Sequence, residues 1–233
     1  MNIEARLNNV REEYLRRMTQ GHSRLLRQVE EYTTSRNGKM LRPRILLAAA
    51  ATLGDTYLAS ERTLLLAVCV EMLHNTSLLH DDVIDRSDSR RGLPSVNAHW
   101  NNAIAILVGD YHLTQIMQLL DEVNDRDVTR RVNETVKSMV EAELLQQEQL
   151  SAAPAQHAMD IDTYRSIIDG KTANLFALAA TLGNPDYRDF GLHYGRIFQL
   201  RDDIADGEAA PFTMQLLEEE EATIKSLPYV LNI

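Results

Sequence analysis

Cysteine is nearly absent from this sequence: among 233 residues there is one, Cys69. That excludes a disulfide framework and a cysteine-based zinc site, and it makes a reducing, cytoplasmic compartment the simplest expectation. Proline (6) and glycine (10) are also scarce. The stretches between these breakers space their apolar residues by three and four rather than alternating them, which argues against strands and predicts an all-α chain. A basic surplus is missing too. Lys and Arg total 24 against 34 Asp and Glu, a formal charge of −10, so no positive stripe is available for a nucleic-acid backbone and no nucleic-acid partner is expected. The longest uncharged apolar run, Ile45 to Leu53, is too short for a bilayer, and no transmembrane segment is expected. The opening MNIEARLNNVREEYLRRM is amphipathic and charged, unlike a secretory signal. No GxxxxGK[ST] loop occurs, which excludes Walker-type nucleotide chemistry.

What is present is a series of amphipathic segments whose total length fits one domain, residues 1–233. Ser60 is placed to cap a long helix from Glu61 to about Asp85, followed by a polar loop from Arg86 to Pro94. Further helices are predicted over Asn102 to Leu120 and, capped by Asp127, Asp162 and Asp186, up to Ser151, Leu182 and about Asp206. The run Glu218 to Glu221 reads as a solvated helix face.

One short motif occurs twice. Asp81, Asp82 and Asp85 in HDDVID, and Asp202, Asp203 and Asp206 in RDDIAD, each form DDxxD at the end of an apolar helix. Residues four apart share a helix face and the adjacent one lies beside them, so each triplet is expected to present carboxylates to one side. Like charges this close repel unless a cation lies between them. Oxygen-only donors suit a hard ion, and Mg2+ shared between carboxylates and substrate phosphates is the natural occupant. A single such motif is as easily explained as helix surface; two copies at apolar helix ends are harder to explain that way. Cationic residues gather nearby in sequence: Lys39, Arg42 and Arg44, then Arg90 and Arg91, then Lys171, then Arg201. Metal and cations together fit an anionic, phosphate-bearing substrate. His74 lies two turns before Asp81 and Gln199 four residues before Asp203; taken alone, each would be assigned a structural role.

Six stretches occur in an order that resembles the trans-type polyprenyl diphosphate synthases: GKMLRP from Gly38, EMLHNTSLLHDDVID from Glu71, SRRG from Ser89, VGDY from Val108, GKTANL from Gly170 and FQLRDDIAD from Phe198. The resemblance implies an all-α antiparallel helix bundle around a deep central cavity, with the two DDxxD motifs facing each other across its mouth, and usually a homodimer. It implies head-to-tail condensation of isopentenyl diphosphate with an allylic diphosphate. In that reaction the allylic carbon ionises, the isopentenyl double bond attacks, and a proton is lost to the released diphosphate. By the same resemblance the six aspartates hold Mg2+, directly or through water. Arg90 and Lys171 contact the allylic diphosphate, while Lys39, Arg42, His74 and Arg91 hold isopentenyl diphosphate. Thr172 and Gln199 orient dipoles towards developing positive charge. The family places bulky aromatics at the fourth and fifth positions before the first motif when products are short. Here those positions are Ser77 and Thr76, which implies a tunnel open beyond farnesyl length, walled by Ile116, Met117 and Leu120, and a medium- or long-chain product.

The sequence departs from that family after Asp206, where further helices and another lysine are usual, and the stretch from Lys171 to Asp202 is several helical turns short. A terpene cyclase also ionises allylic diphosphates at an aspartate-rich helix, but its second motif usually contains Asn and Ser where this sequence repeats DDxxD. A non-catalytic regulatory subunit of a heteromeric synthase remains the alternative from a different class, and retention of both aspartate motifs argues against it.

Overall fold

The computed structural model describes residues 2–21, 23–35, 38–151, 159–231 and 233. The fold is all-α, and the described strands are confined to one two-residue pair. The chain falls into two compact units, residues 1–44 with 58–125, and residues 45–57 with 126–233.

In the first unit, α1 (Ile3–Met18) and α2 (Arg24–Thr34) start at Asn2 and Ser23, whose side chains accept from Glu4 N and Leu26 N. α3 (Leu41–Ala51) begins in this unit, with Pro43 in its first turn, where the missing N–H costs nothing. α4 (Asp55–Ala59), a single turn whose residues 55–57 belong to the second unit, precedes the long α5 (Glu61–Ile84). Ser60 caps α5 by accepting from Thr63 N, as its position predicts. The stretch from Arg86 to Pro94, expected as loop, contains a small hairpin: β1 (Ser89–Arg90) pairs antiparallel with β2 (Leu93–Pro94). Its two central residues, Arg91 (φ 52°) and Gly92 (φ 77°), are both left-handed, the backbone a two-residue hairpin of matching twist requires. α6 (Val96–His99) leads into α7 (Asn102–Val123). α5 packs along α7, and a cluster of Leu26, Val29, Leu79, Val96, Ala105 and Val108 closes the space beside α2.

Uninterrupted apolar runs understate two of these helices. Both α5 and α7 are long and apolar enough to cross a membrane by length and composition, although 72% of that stretch is buried in α5 and 44% in α7. α5 is therefore a core helix, whereas α7 leaves Ile106, Leu107 and Met117 exposed.

The second unit contains the rest of α3, α8 (Arg126–Ser151), α9 (Ile161–Ile168), α10 (Asn174–Gly183), α11 (Arg188–Asp206) and α12 (Thr213–Ser226). Its caps differ from expectation by a residue or two. Asp160, rather than Asp162, accepts from Thr163 N at the start of α9. Asn184, rather than Asp186, caps the short 3-10 turn Pro185–Tyr187 ahead of α11. Asp127 lies inside the first turn of α8 and binds Arg130 and Arg131. The helix expected from Asp162 to Leu182 is interrupted by a five-residue π turn, Asp169–Ala173, between α9 and α10. Gly170 lets this turn lie flush on α8, where a Cβ would collide with Ala142 Cβ and the Ser138 carbonyl. α12 returns along α11, burying Leu216 with Tyr164, Ile168 and Leu200. The acidic run of α12 is a solvated face only in part: Glu218 and Glu219 are exposed, Glu221 is half-buried, and Glu220 is buried at 8% exposure, with Glu219 and Glu221 pairing with Arg165 and Arg201.

Candidate active site

The first aspartate motif closes α5. Asp81 and Asp82 occupy its last turn, Asp85 is its C-cap residue, and Asp85 N–H donates to the Asp81 carbonyl. Carboxylates at a helix C-terminus meet the negative end of the helix dipole as well as one another, so the arrangement favours a bound cation. The three do not share one side. Asp82 turns into the unit, 4% exposed, and accepts from Arg90 Nε at 2.9 Å and from Arg90 Nη2. Asn97 fixes the end of the same helix by donating to the Asp82 carbonyl at 3.1 Å. Asp81 is half-buried and Asp85 exposed.

Arg90, Arg91 and Asp82 line a cavity of about 50 Å³ with Asn75 and His112. A second cavity, about 180 Å³, is bordered by Arg91, Gly38, Asn75, Glu71 and Arg11. Gly38 gives the Arg91 guanidinium its place, since a Cβ there would lie 2.9 Å from Nη1. Arg42 is buried at 8% exposure, and Lys39 is exposed beside it in the chain. Glu71, the first residue of EMLHNTSLLHDDVID, is buried with Oε2 lacking a hydrogen bond. Burial raises its carboxyl pKa, opposed by the positive charges of Arg42, Arg91 and Arg11. His74, one turn later, is pushed well below the usual imidazole range by burial first and by Arg42, Arg91 and Arg90 next. It is therefore neutral at physiological pH, able to donate and accept. Thr76 is buried and donates to the Met72 carbonyl; half-buried Ser77 donates to the His74 carbonyl. Of the expected tunnel wall, Ile116 and Leu120 are buried, but Met117 is 66% exposed and points away from the core.

The second motif closes α11, where Gly207 caps the helix in the left-handed conformation. Asp203 again turns inward, here to neutral donors: Gln199 Nε2 donates to its Oδ1 at 2.7 Å, and the Tyr164 hydroxyl donates to Oδ2. Asp202 and Asp206 are exposed. Gln199 Oε1 in turn accepts from Thr172 Oγ1 at 2.6 Å, so Thr172, Gln199, Asp203 and Tyr164 form one continuous chain of hydrogen bonds. Lys171 lies on the π turn beside Thr172 and pairs with Glu143 Oε2 at 3.0 Å and Gln146 Oε1 at 3.1 Å, both on α8. A π turn is a costly local geometry concentrated at functional sites, and this one carries both residues.

Among the described residues no three His, Cys, Asp or Glu side chains converge as a ready-made metal cage. Asp85, Asp202 and Asp206 are exposed and Asp81 is half-buried, so each helix end offers carboxylates beside its inward aspartate. An oxygen-only pair supplemented by water and phosphate is a donor set that Mg2+ accepts, because that ion keeps several waters and uses one or two carboxylates. Several partners escape sequence reasoning. Tyr164, Glu143 and Gln146 are ordinary polar residues on helices 7, 28 and 25 positions before Lys171. Glu30 and His112, both fully buried and 2.6 Å apart, pair 82 residues from each other. Glu71 did carry a signal, as a charge within the apolar run of α5.

Residues 23–216 match the family described as Polyprenyl synthetase. The chain is 38% identical over 193 residues to an all-trans-nonaprenyl-diphosphate synthase (geranyl-diphosphate specific) of Rhodobacter capsulatus, covering 78% of this chain and 57% of that one. In structure it is similar to a decaprenyl diphosphate synthase from the same organism, with TM-score 0.79, 33% identity, and 88% of this chain and 64% of that one covered. It is equally similar to a polyprenyl synthase from Caulobacter crescentus complexed with calcium and isoprenyl diphosphate: TM-score 0.79, 32% identity, and coverage of 89% and 64%. The chain thus spans somewhat under two thirds of the length of these relatives. With the family match running across both aspartate motifs and the π turn, the chain belongs to the polyprenyl synthetase family.

Proposed function

We propose that this chain condenses isopentenyl diphosphate with an allylic diphosphate to give a medium- or long-chain trans-polyprenyl diphosphate, as an Mg2+-dependent homodimer in a reducing, cytoplasmic setting. The observation that carries the reading is the grouping of carboxylates with cations at the end of α5: Asp85 is exposed and Asp81 half-buried there, while Arg90 and Arg91 line a cavity with Asp82. Such a surface attracts neither a bare anion nor a bare cation strongly, but suits a metal–diphosphate complex.

Asp81 with Asp85, and separately Asp202 with Asp206, would each hold Mg2+, which supplies positive charge to a departing diphosphate. Lys171 would add a further cation there, released from Glu143 and Gln146. Thr172 spends its only hydroxyl proton on Gln199, so its oxygen offers lone pairs alone to whatever lies beyond; this is the dipole direction that stabilises an allylic cation. Lys39, Arg42 and Arg91 would bind isopentenyl diphosphate, with neutral His74 as a hydrogen-bonding neighbour. Arg91 projects from a left-handed residue in a two-residue turn, a backbone that fixes where its stem begins. The small Thr76 and Ser77, together with the nonaprenyl and decaprenyl products in the names of the similar proteins, support a product longer than farnesyl. The exposed apolar residues Ile106, Leu107 and Met117 on α7, and Val140 and Leu144 on α8, support a second copy as partner.

The test is incubation of the purified chain with isopentenyl and farnesyl diphosphates and Mg2+, with products measured by mass. Polyprenyl diphosphates beyond fifteen carbons are expected, and none in excess chelator. Full activity in chelator defeats the metal assignment, and a cyclic hydrocarbon product defeats the transferase reading.

A further inference from the structure

The π turn that carries Lys171 and Thr172 is gripped at its first residue by a side chain the reading above does not use. Arg196 on α11 forks onto Asp169, donating from Nε to Oδ1 at 2.6 Å and from Nη2 to Oδ2 at 2.7 Å. Its remaining terminal nitrogen, Nη1, donates to Glu220 Oε1 at 3.1 Å on α12. Glu220 Oε2 is held by His193 Nδ1. Arg196 thus joins three elements with one planar group. A two-bond fork to a carboxylate fixes orientation as well as distance, unlike a point charge.

The rest of the turn has little freedom of its own. Gly170 is pressed on Ala142 and Ser138, and Thr172 is tied to Gln199, one turn of α11 beyond Arg196. α11 therefore holds both ends of the segment, Asp169 through Arg196 and Thr172 through Gln199. Glu220 lies beyond residue 216, where the family match ends, so family membership assigns it nothing.

We propose that Arg196, braced by Glu220 of α12, is a positioning residue that sets the π turn and thereby aims Lys171 and Thr172. The proposal rests on the prenyltransferase reading only for what those two residues then act on. α12 becomes part of the site's support, acting through Arg196 without touching substrate.

The test compares the chain with Arg196→Gln, Arg196→Lys and Glu220→Gln, using hydrogen exchange of the 167–173 segment and Michaelis constants for both diphosphates. In Arg196→Gln, exchange across 167–173 should accelerate about 10-fold while α10 beyond Leu178 keeps its protection. The Michaelis constant for farnesyl diphosphate should rise about 10-fold with that for isopentenyl diphosphate unchanged. Arg196→Lys, which keeps the charge and loses the fork, should fall between the two, and Glu220→Gln should shift both readouts about 2-fold to 3-fold. If Arg196→Gln does not fold, Arg196→Lys carries the same comparison. Wild-type exchange in the turn of a folded Arg196 variant overturns the proposal, as does an equal change in both Michaelis constants. A wild-type chain that binds neither diphosphate counts against the prenyltransferase reading, while the exchange result still decides the brace.

Discussion

HDDVID and RDDIAD carry the same three aspartates at the same spacing near a helix C-terminus, although Asp85 itself caps α5 while Gly207 caps α11 after Asp206, and their middle members meet opposite chemistry. Asp82 is neutralised by a guanidinium from the hairpin eight residues on, whereas Asp203 is held by an amide and a phenol. Both arrangements turn the second carboxylate inward and leave the third exposed, while the first is half-buried at Asp81 and exposed at Asp202. The shared pattern therefore encodes helix geometry, and the neighbours decide what each carboxylate does. The helices differ upstream in the same sense. α5 carries Cys69, Glu71 and His74, whose pKa values are shifted chiefly by desolvation; α11 holds Glu220 through a hydrogen bond from His193 and Asp169 through the Arg196 fork.

The largest test of this contrast sets the first aspartate of each motif against the second. Asp81→Ala and Asp202→Ala should lower the condensation rate about 100-fold or more and raise the Mg2+ concentration needed for half-maximal rate. Asp82→Ala and Asp203→Ala should not shift that Mg2+ requirement. An equal Mg2+ shift in all four variants, read from rate against Mg2+ titrations, would erase the division.

A smaller effect separates the two inward aspartates. Asp82→Asn leaves Arg90 facing an amide in a mostly buried position and should cost about 1–3 kcal/mol by urea denaturation. Asp203→Asn should cost under about 1 kcal/mol, because the amide can accept from Gln199 and donate to Tyr164, whose hydroxyl can turn from donor to acceptor. Equal losses would show that the charge of Arg90 is immaterial.

A pH series sharpens the upstream difference. His74 is held neutral in the folded chain by burial, so the unfolded chain takes up its proton first as pH falls below about 6.5. Stability should therefore be present above that value and decline towards pH 5.5. His74→Gln should flatten this part of the profile. A wild-type and variant denaturation midpoint that fall in parallel between pH 7.5 and 5.5 would remove His74 as the cause.

The least effect is expected at Cys69, whose thiol burial pushes up to about 12. Alkylation at pH 8 should be negligible in the folded chain and rapid in denaturant, as followed by mass. Prompt labelling without denaturant would mean that the core of α5 opens readily.

Much of the molecule follows from local pattern. Spacing of three and four marks the helices, Ser60 announces the start of α5, and DDxxD forces carboxylates onto a helix end; all of these act within a turn or two. The π turn is harder to anticipate, since DGKTA sits in an unbroken helical pattern and only its contacts with α8 and α11 make the wider turn favourable. Caps at Asp160 and Asn184 illustrate a finer limit, because several acceptors lie near each helix start and the chain path selects one.

The sequence by itself determined the helical class, the two aspartate-bearing helix ends and the grouping of basic residues, because each depends on neighbours along the chain. Only the tertiary structure decided that Asp82 and Asp203 turn inward, that Glu220 is buried against Arg196 and His193, and that Glu30 meets His112. These choices rest on desolvation and on partners 4 to 82 residues away. The acidic run of α12 shows the reason most plainly. Its charge pattern is that of a solvent-facing surface, and only Arg196 and His193 of α11 make burial of Glu220 favourable.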